Sequence, residues 1–128
     1  MTKLLYTMKD PFNGPDLKIG KTKIPEVRLG VYQNSYSSHS HVAEFQCVWY
    51  GPDAVIDRLE KVLKKTHDWS IEKDGRGHSE WMYNVVFEDI ESSVDEIIKN
   101  YKFKVEKLGK KFLPVNIHNL PKVLEHIK

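Results

Sequence analysis

LLYTMKDPFNGPDLKIGKT, residues 4–22, is the stretch that decides the fold. Two runs rich in apolar residues, Lys3–Met8 and Asp16–Gly20, flank KDPFNGPD. That centre carries Asn13-Gly14 and two prolines, residues that supply the backbone angles of turns and withhold donors from a sheet. DLKIG alternates apolar and polar positions, the period of a strand with one buried face. The stretch therefore predicts a β-hairpin with a loop longer than the minimal two residues.

Working outward, Pro25 suits a first helical position, and EVRLGVYQN, residues 26–34, predicts a short helix weakened by Gly30. SYSSHSH, residues 35–41, is a polar loop. Val42–Tyr50 alternates, with Ala43, Phe45, Cys47 and Trp49 expected on one face of a third strand. Gly51-Pro52-Asp53 opens the best helix of the chain, to about Thr66, with Val55, Ile56, Leu59, Val62 and Leu63 on one stripe. Residues 68–80 are polar, and WMYNVVF, residues 81–87, reads as extended. Asp89–Tyr101 is a second clear helix, with Ile90, Val94, Ile97, Ile98 and Tyr101 in register and acidic residues in its first turns. Beyond Lys102, FKVEKL suggests a strand, and Leu120–Ile127 a short helix opened by Pro121. The expected architecture is α+β: a three-stranded, mainly antiparallel sheet flanked by helices. Residues 1–101 form the domain, and residues 102–128 are expected as a basic extension packed on it.

The 128 residues are 40% hydrophobic and 30% charged, ordinary for one globular domain and against wholesale disorder. The single cysteine, Cys47, forms no intrachain disulfide, so a reducing, cytoplasmic setting is the expectation. No apolar run approaches membrane-spanning length, and the N-terminal run is too short for a signal peptide. Net charge is +2, so any attraction for polyanions must come from local lysine density, at Lys18–Lys23, Lys61–Lys65 and Lys102–Lys111. Each of these clusters also fits a solvated surface.

Two residues stand out for chemistry. Arg28 precedes Tyr32 by one helical turn, which puts both on one face. Glu60 borders the apolar stripe of its helix, about 100° from Leu59, where partial desolvation suits either a metal ligand or a rim ion pair with Arg58 or Lys64. Tyr6 fits a core aromatic as well as a site residue. His39 and His41, spaced H-S-H in a serine-rich loop, lack further ligands at zinc-site spacing. Cys47 and Trp49 are expected in the core, the thiol inert.

The ordered set resembles the two-part signature of the GIY-YIG nuclease superfamily, most closely its T5orf172-type branch. Leu4-Leu5-Tyr6 resembles the first half and Lys18-Ile19-Gly20 the second. Arg28 follows Gly20 at the spacing of the family's arginine. Tyr32 falls where a histidine or tyrosine stands, and Glu60 where the metal-binding glutamate stands. Gly77–Met82 resembles a further element of that branch. Three departures are plain: Lys18 replaces the second-half tyrosine, the first half lacks its usual glycine, and Tyr32 stands in for histidine.

The resemblance, over roughly residues 4–98, implies single-metal hydrolysis of DNA phosphodiester bonds. Glu60 would hold one Mg²⁺ or Mn²⁺, Arg28 would grip the scissile phosphate, and Tyr6 or Tyr32 would orient and deprotonate water. Lys18, Lys21, His39 and His41 are the expected substrate contacts. Specificity would come from a homo-oligomer or a partner protein. Such domains are common in phages, large viruses and bacteria, which implies a cytoplasmic address, the host's if virus-encoded. The alternative is a non-catalytic nucleotide- or nucleic-acid-binding protein on the same fold.

Overall fold

The computed structural model describes residues 2–9, 17–36, 43–66, 81–82 and 85–127, and for residues 32–36 and 81–82 it describes the backbone alone. Strands β1 (Thr2–Lys9) and β2 (Leu17–Thr22) pair antiparallel, with Leu4 opposite Thr22, Tyr6 opposite Gly20 and Met8 opposite Lys18. The turn between them, residues 10–16, lies outside the described residues. Strand β3 (Cys47–Pro52) pairs antiparallel with the other edge of β1. These are the three expected strands. Two strands of two residues each widen the sheet, β4 (Trp81–Met82) beside β2 and β5 (Glu106–Lys107) beside β3. The order is β4-β2-β1-β3-β5, antiparallel at every pairing.

Among the described residues four α-helices accompany the sheet: α1 (Pro25–Tyr36), α2 (Asp53–Thr66), α3 (Phe87–Tyr101) and α4 (Leu120–Ile127). Side chains alternate across a strand, so β1, buried on both sides, divides its residues between two cores. Leu5 joins Leu17, Ile19, Cys47 and Trp49 against Ile56, Leu59 and Leu63 of α2 and Ile90, Val94 and Ile97 of α3. Leu4, Tyr6 and Met8 join Val48 against Leu29 of α1 and a cover drawn from the end of the chain, Leu108, Val115, Leu120 and Val123. Each such buried aliphatic contributes about 1.5–3 kcal/mol by leaving water. No described helix is long and apolar enough to cross a membrane.

The third strand departs from its expected alternation. Ala43 and Phe45 face the core under α1 and α4, whereas Cys47 and Trp49 face α2 and α3. Thr7 is the cause. Its carbonyl accepts the Gln46 N–H at 2.7 Å and its hydroxyl accepts the Cys47 N–H at 3.1 Å. Two residues thus oppose one, as in a β-bulge, which inverts the side-chain parity. The strand proper starts at Cys47, and Phe45 instead forms an isolated bridge with Val115.

Two further expectations change. Of residues 81–87 only Trp81–Met82 is a strand, and Phe87 already opens α3. Tyr101, expected in the apolar stripe of α3, is 53% exposed and stacks on Phe103 at 5.2 Å. The helix ends at Lys102, whose left-handed backbone, φ 54°, turns the chain away after Tyr101.

Candidate functional site

Where β2 runs into α1 the surface opens into a cleft of about 550 Å³, lined by Lys3, Lys21, Lys23 and Arg28 together with Ile24, Val27 and Val31. The corner is tight. The Ile24 N–H donates to the Thr22 hydroxyl at 3.0 Å, and the Arg28 N–H to the Ile24 carbonyl at 3.2 Å. α1 docks through buried Leu29, so its neighbour Arg28 stays exposed at the cleft.

Across the sheet end from this cleft, α2 presents Asp53, Asp57 and Glu60, spaced four and three residues apart and therefore on one helix face. The lysines interleave with them. Lys3 Nζ lies 2.6 Å from Asp53 Oδ1 and 2.8 Å from Asp57 Oδ1. Lys21 Nζ lies 2.8 Å from Asp57 Oδ1 and 3.3 Å from Glu60 Oε1. Lys23 pairs with Asp53, and Lys64 Nζ is 3.7 Å from Glu60 Oε1. The Lys21 ammonium, and then that of Lys3, hold the Asp57 carboxyl down at about 2. Lys23 and then Lys3 keep Asp53 below the usual carboxylate range. In return Asp53 and Asp57 raise Lys3, and Asp57 raises Lys21 against the opposing effect of burial. Each exposed pair adds little stability alone, but together they fasten α2 across the ends of β1 and β2.

Glu60 differs from the two aspartates. It is only 8% exposed, and its Oε2, like Asp53 Oδ1, is buried with no hydrogen-bond partner among the described residues. Asp53 Oδ1, however, has the Lys3 ammonium at 2.6 Å, whereas no described cation is paired with Glu60 Oε2. An unsatisfied buried carboxylate oxygen is costly, and a hard cation is one group that relieves it. No cluster of three histidine, cysteine or acidic ligands exists among the described residues. Among the described residues Glu60 Oε2 would thus be the oxygen on offer to a hard cation such as Mg²⁺.

The sequence model of the T5orf172 domain matches residues 3–102. The chain belongs to the T5orf172 domain family. The matched T5orf172 region runs from β1 through α3 and contains Lys21, Arg28 and Glu60. No curated protein and no solved structure matches the chain.

Within this T5orf172 domain, Lys21 links two of the expected site residues, since it lines the Arg28 cleft and contacts Glu60. Tyr6 and Lys18 lie on the α1 side of the sheet, away from Glu60 and α2. By strand parity both face the opposite side of the sheet from Lys21. Tyr6 is fully buried, stacked on Phe45 with ring centroids 4.1 Å apart. Tyr32 follows Arg28 by one turn of α1, its side chain not described, and His39, His41 and residues 77–80 lie outside the described residues. Sequence reasoning missed Lys3, Lys23, Asp53 and Asp57. The acidic spacing along α2 was a visible signal, but nothing in the sequence named its lysine partners.

Cys47 is no nucleophile. Burial and then the neighbouring Glu91 push its thiol up to about 12. Its S–H donates to Glu91 Oε2 at 3.2 Å, and Lys107 of β5 holds Glu91 and Asp95 at 2.8 Å each. Trp49 Nε1 donates to Asp95 Oδ1 at 3.0 Å, completing a polar seam between β3, β5 and α3.

Proposed function

We propose that this T5orf172 domain is a metal-dependent endonuclease of GIY-YIG type that hydrolyses DNA phosphodiester bonds at the Arg28 cleft. The observation that carries the reading is the buried, partnerless Oε2 of Glu60, joined through Lys21 to a cleft that presents an exposed guanidinium.

In this reading Glu60 Oε2 is the oxygen that, among the described residues, would hold one Mg²⁺ or Mn²⁺. Such a cation, when bound, neutralises charge on the scissile phosphate and stabilises the leaving oxygen. Lys21 holds Oε1, which would fix the plane of the carboxylate. The Arg28 fork grips two phosphate oxygens and strengthens its hold as charge accumulates in the transition state. Lys23, its side chain 42% exposed, would draw a flanking phosphate, whereas Lys3, held by Asp53 and Asp57, fixes α2 beside the cleft. Tyr32 is the phenol assigned to orient the attacking water, and with an ordinary pKa of about 10 it needs a polarising neighbour to take the proton at neutral pH. Tyr6, sealed from water, serves instead to seat β2.

A second reading, a nucleic-acid binder that does not cut, is favoured by the lysines around Glu60. Lys21 and Lys64 both neutralise Oε1, so the carboxylate need not repel a phosphate even without a cation. Supercoiled plasmid and single-stranded DNA incubated with the protein in Mg²⁺, Mn²⁺ or EDTA separate the two. The nuclease gives cation-dependent nicking that is lost in both Glu60→Gln and Arg28→Ala. Tight binding in EDTA, with no cutting of any DNA form under either cation, makes the binder the answer.

A further inference from the structure

Helix α1 is apolar on the side that faces water. Successive residues of an α-helix step by about 100°. Val27, Arg28 and Val31, with Ile24 immediately before the helix, therefore share an arc of roughly 100°. Leu29, which α1 buries in the core, points away from that arc. Ile24, Val27 and Val31 are 51%, 58% and 53% exposed, and all three line the Arg28 cleft. Glu26, the acidic residue of the first turn, lies outside the arc by the same geometry.

A solvated helix face is ordinarily polar. Three β-branched aliphatics around the exposed Arg28, with Lys21 and Lys23 alongside though ion-paired to the carboxylates of α2, form a surface suited to a ligand that is both anionic and apolar. Nucleic acid has both characters, but a duplex shows only one of them. Its phosphates face outward and would satisfy Arg28 and the lysines, while its base faces are stacked inside and could not cover the aliphatic stripe. An unpaired strand splays its bases, and these lie readily on apolar side chains while the backbone follows the positive charge.

We infer that the α1 face discriminates strands: the cleft takes unpaired DNA, with phosphates on Arg28, Lys21 and Lys23 and bases against Ile24, Val27 and Val31. The inference rests on the proposed reading of the cleft as a phosphodiester site, and narrows its substrate to single strands and unpaired ends.

The test is fluorescence anisotropy of the full chain in EDTA, with a labelled single-stranded oligonucleotide and the same strand annealed to its complement. The single strand should bind about tenfold more tightly. Val27→Ser combined with Val31→Ser should lower single-strand affinity by about tenfold while changing duplex affinity less than about twofold. Ile24→Ser, at the N-cap of α1 where serine supports the helix, should give a smaller loss of the same selectivity. Equal affinity for the two forms, or variants that weaken both alike, overturns the inference. So does a wild-type dimer in sedimentation velocity that the serine variants dissociate, because the stripe would then belong to a second copy of the chain. Cutting plays no part in this measurement. Strand preference without cleavage in Mn²⁺ sinks the nuclease and keeps the inference, and cleavage without strand preference does the reverse.

Discussion

Gly20 and Tyr6 oppose each other across the β1–β2 pair so closely that a Cβ on Gly20 would stand 2.5 Å from Tyr6 Cζ, and nearer still to its hydroxyl. Phe45, stacked on the far side of the ring, leaves the phenol no room to withdraw. The glycine of the K-I-G triplet is thus required by a tyrosine fourteen positions earlier (20 minus 6).

Gly20→Ala should therefore destabilise the protein by about 1–3 kcal/mol, the usual cost of overpacking, read as a lower urea midpoint at unchanged slope. Tyr6→Leu alone should also cost about 2–4 kcal/mol. The double variant should lose at least about 0.5–1 kcal/mol less than the sum, because the leucine vacates the space that the new methyl needs. Strict additivity would show that the two residues do not compete.

Lys21→Met removes an ammonium 3.3 Å from Glu60 Oε1. If a cation is held at Oε2, its affinity should rise about three- to tenfold as that repulsion goes. Mn²⁺ titration followed by electron paramagnetic resonance measures this. Arg28→Ala, in the cleft but not among the ion-pair partners of Glu60 in the described residues, should move Mn²⁺ affinity far less. A Mn²⁺ affinity that is identical in native, Lys21→Met and Glu60→Gln proteins would remove Glu60 as the ligand.

The aspartates of α2 set an acid limb. Asp57 titrates at about 2 in the folded protein, below the roughly 3.9 of an unfolded chain. A depressed carboxyl stabilises the fold fully above its unfolded value, and that contribution is lost as pH falls through the folded value. The stability gap between native protein and Asp57→Asn should be constant above about pH 5 and close between about pH 4 and pH 2. It should be small, because the Asp57 side chain is 44% exposed. Urea midpoints along a pH series test it, and a gap that widens toward acid contradicts the pairing.

Cys47 should be silent to thiol reagents in the native state. The thiolate is the reacting form, and a thiol pushed up to about 12 and buried supplies almost none at pH 8. Ellman's reagent should register the thiol only after urea unfolds the chain. Rapid native reaction would mean that the seam of Glu91, Lys107 and Asp95 opens readily.

Helices α2 and α3 were legible because Ile56, Leu59 and Leu63, and Ile90, Val94 and Ile97, repeat at helical spacing over about two turns. β1 and β2 were legible from the turn residues between them. The parity change between Phe45 and Cys47 was not, since it depends on Thr7, which is forty residues from Cys47 in sequence. β4 and β5, with two residues each, are too short to carry a period. Arg28 and Glu60 were legible as residue types at telling places. Their link through Lys21 was hidden, because neighbours across a sheet end leave no spacing in the chain. The outward stripe of α1 was hidden too, since a helix pattern does not say which way a weakly amphipathic helix is turned.

The family match stops at residue 102, yet half of the hydrophobic interior is finished by residues after it. A protein shortened to the matched region would be a sheet roofed on one side, with Tyr6, Phe45 and Val48 laid open to water where Leu108, Val115, Leu120 and Val123 now cover them. The inherited unit and the unit that folds are therefore different lengths of chain. Grafting residues 3–102 onto another protein should yield an insoluble product unless the host lends an apolar lid of its own.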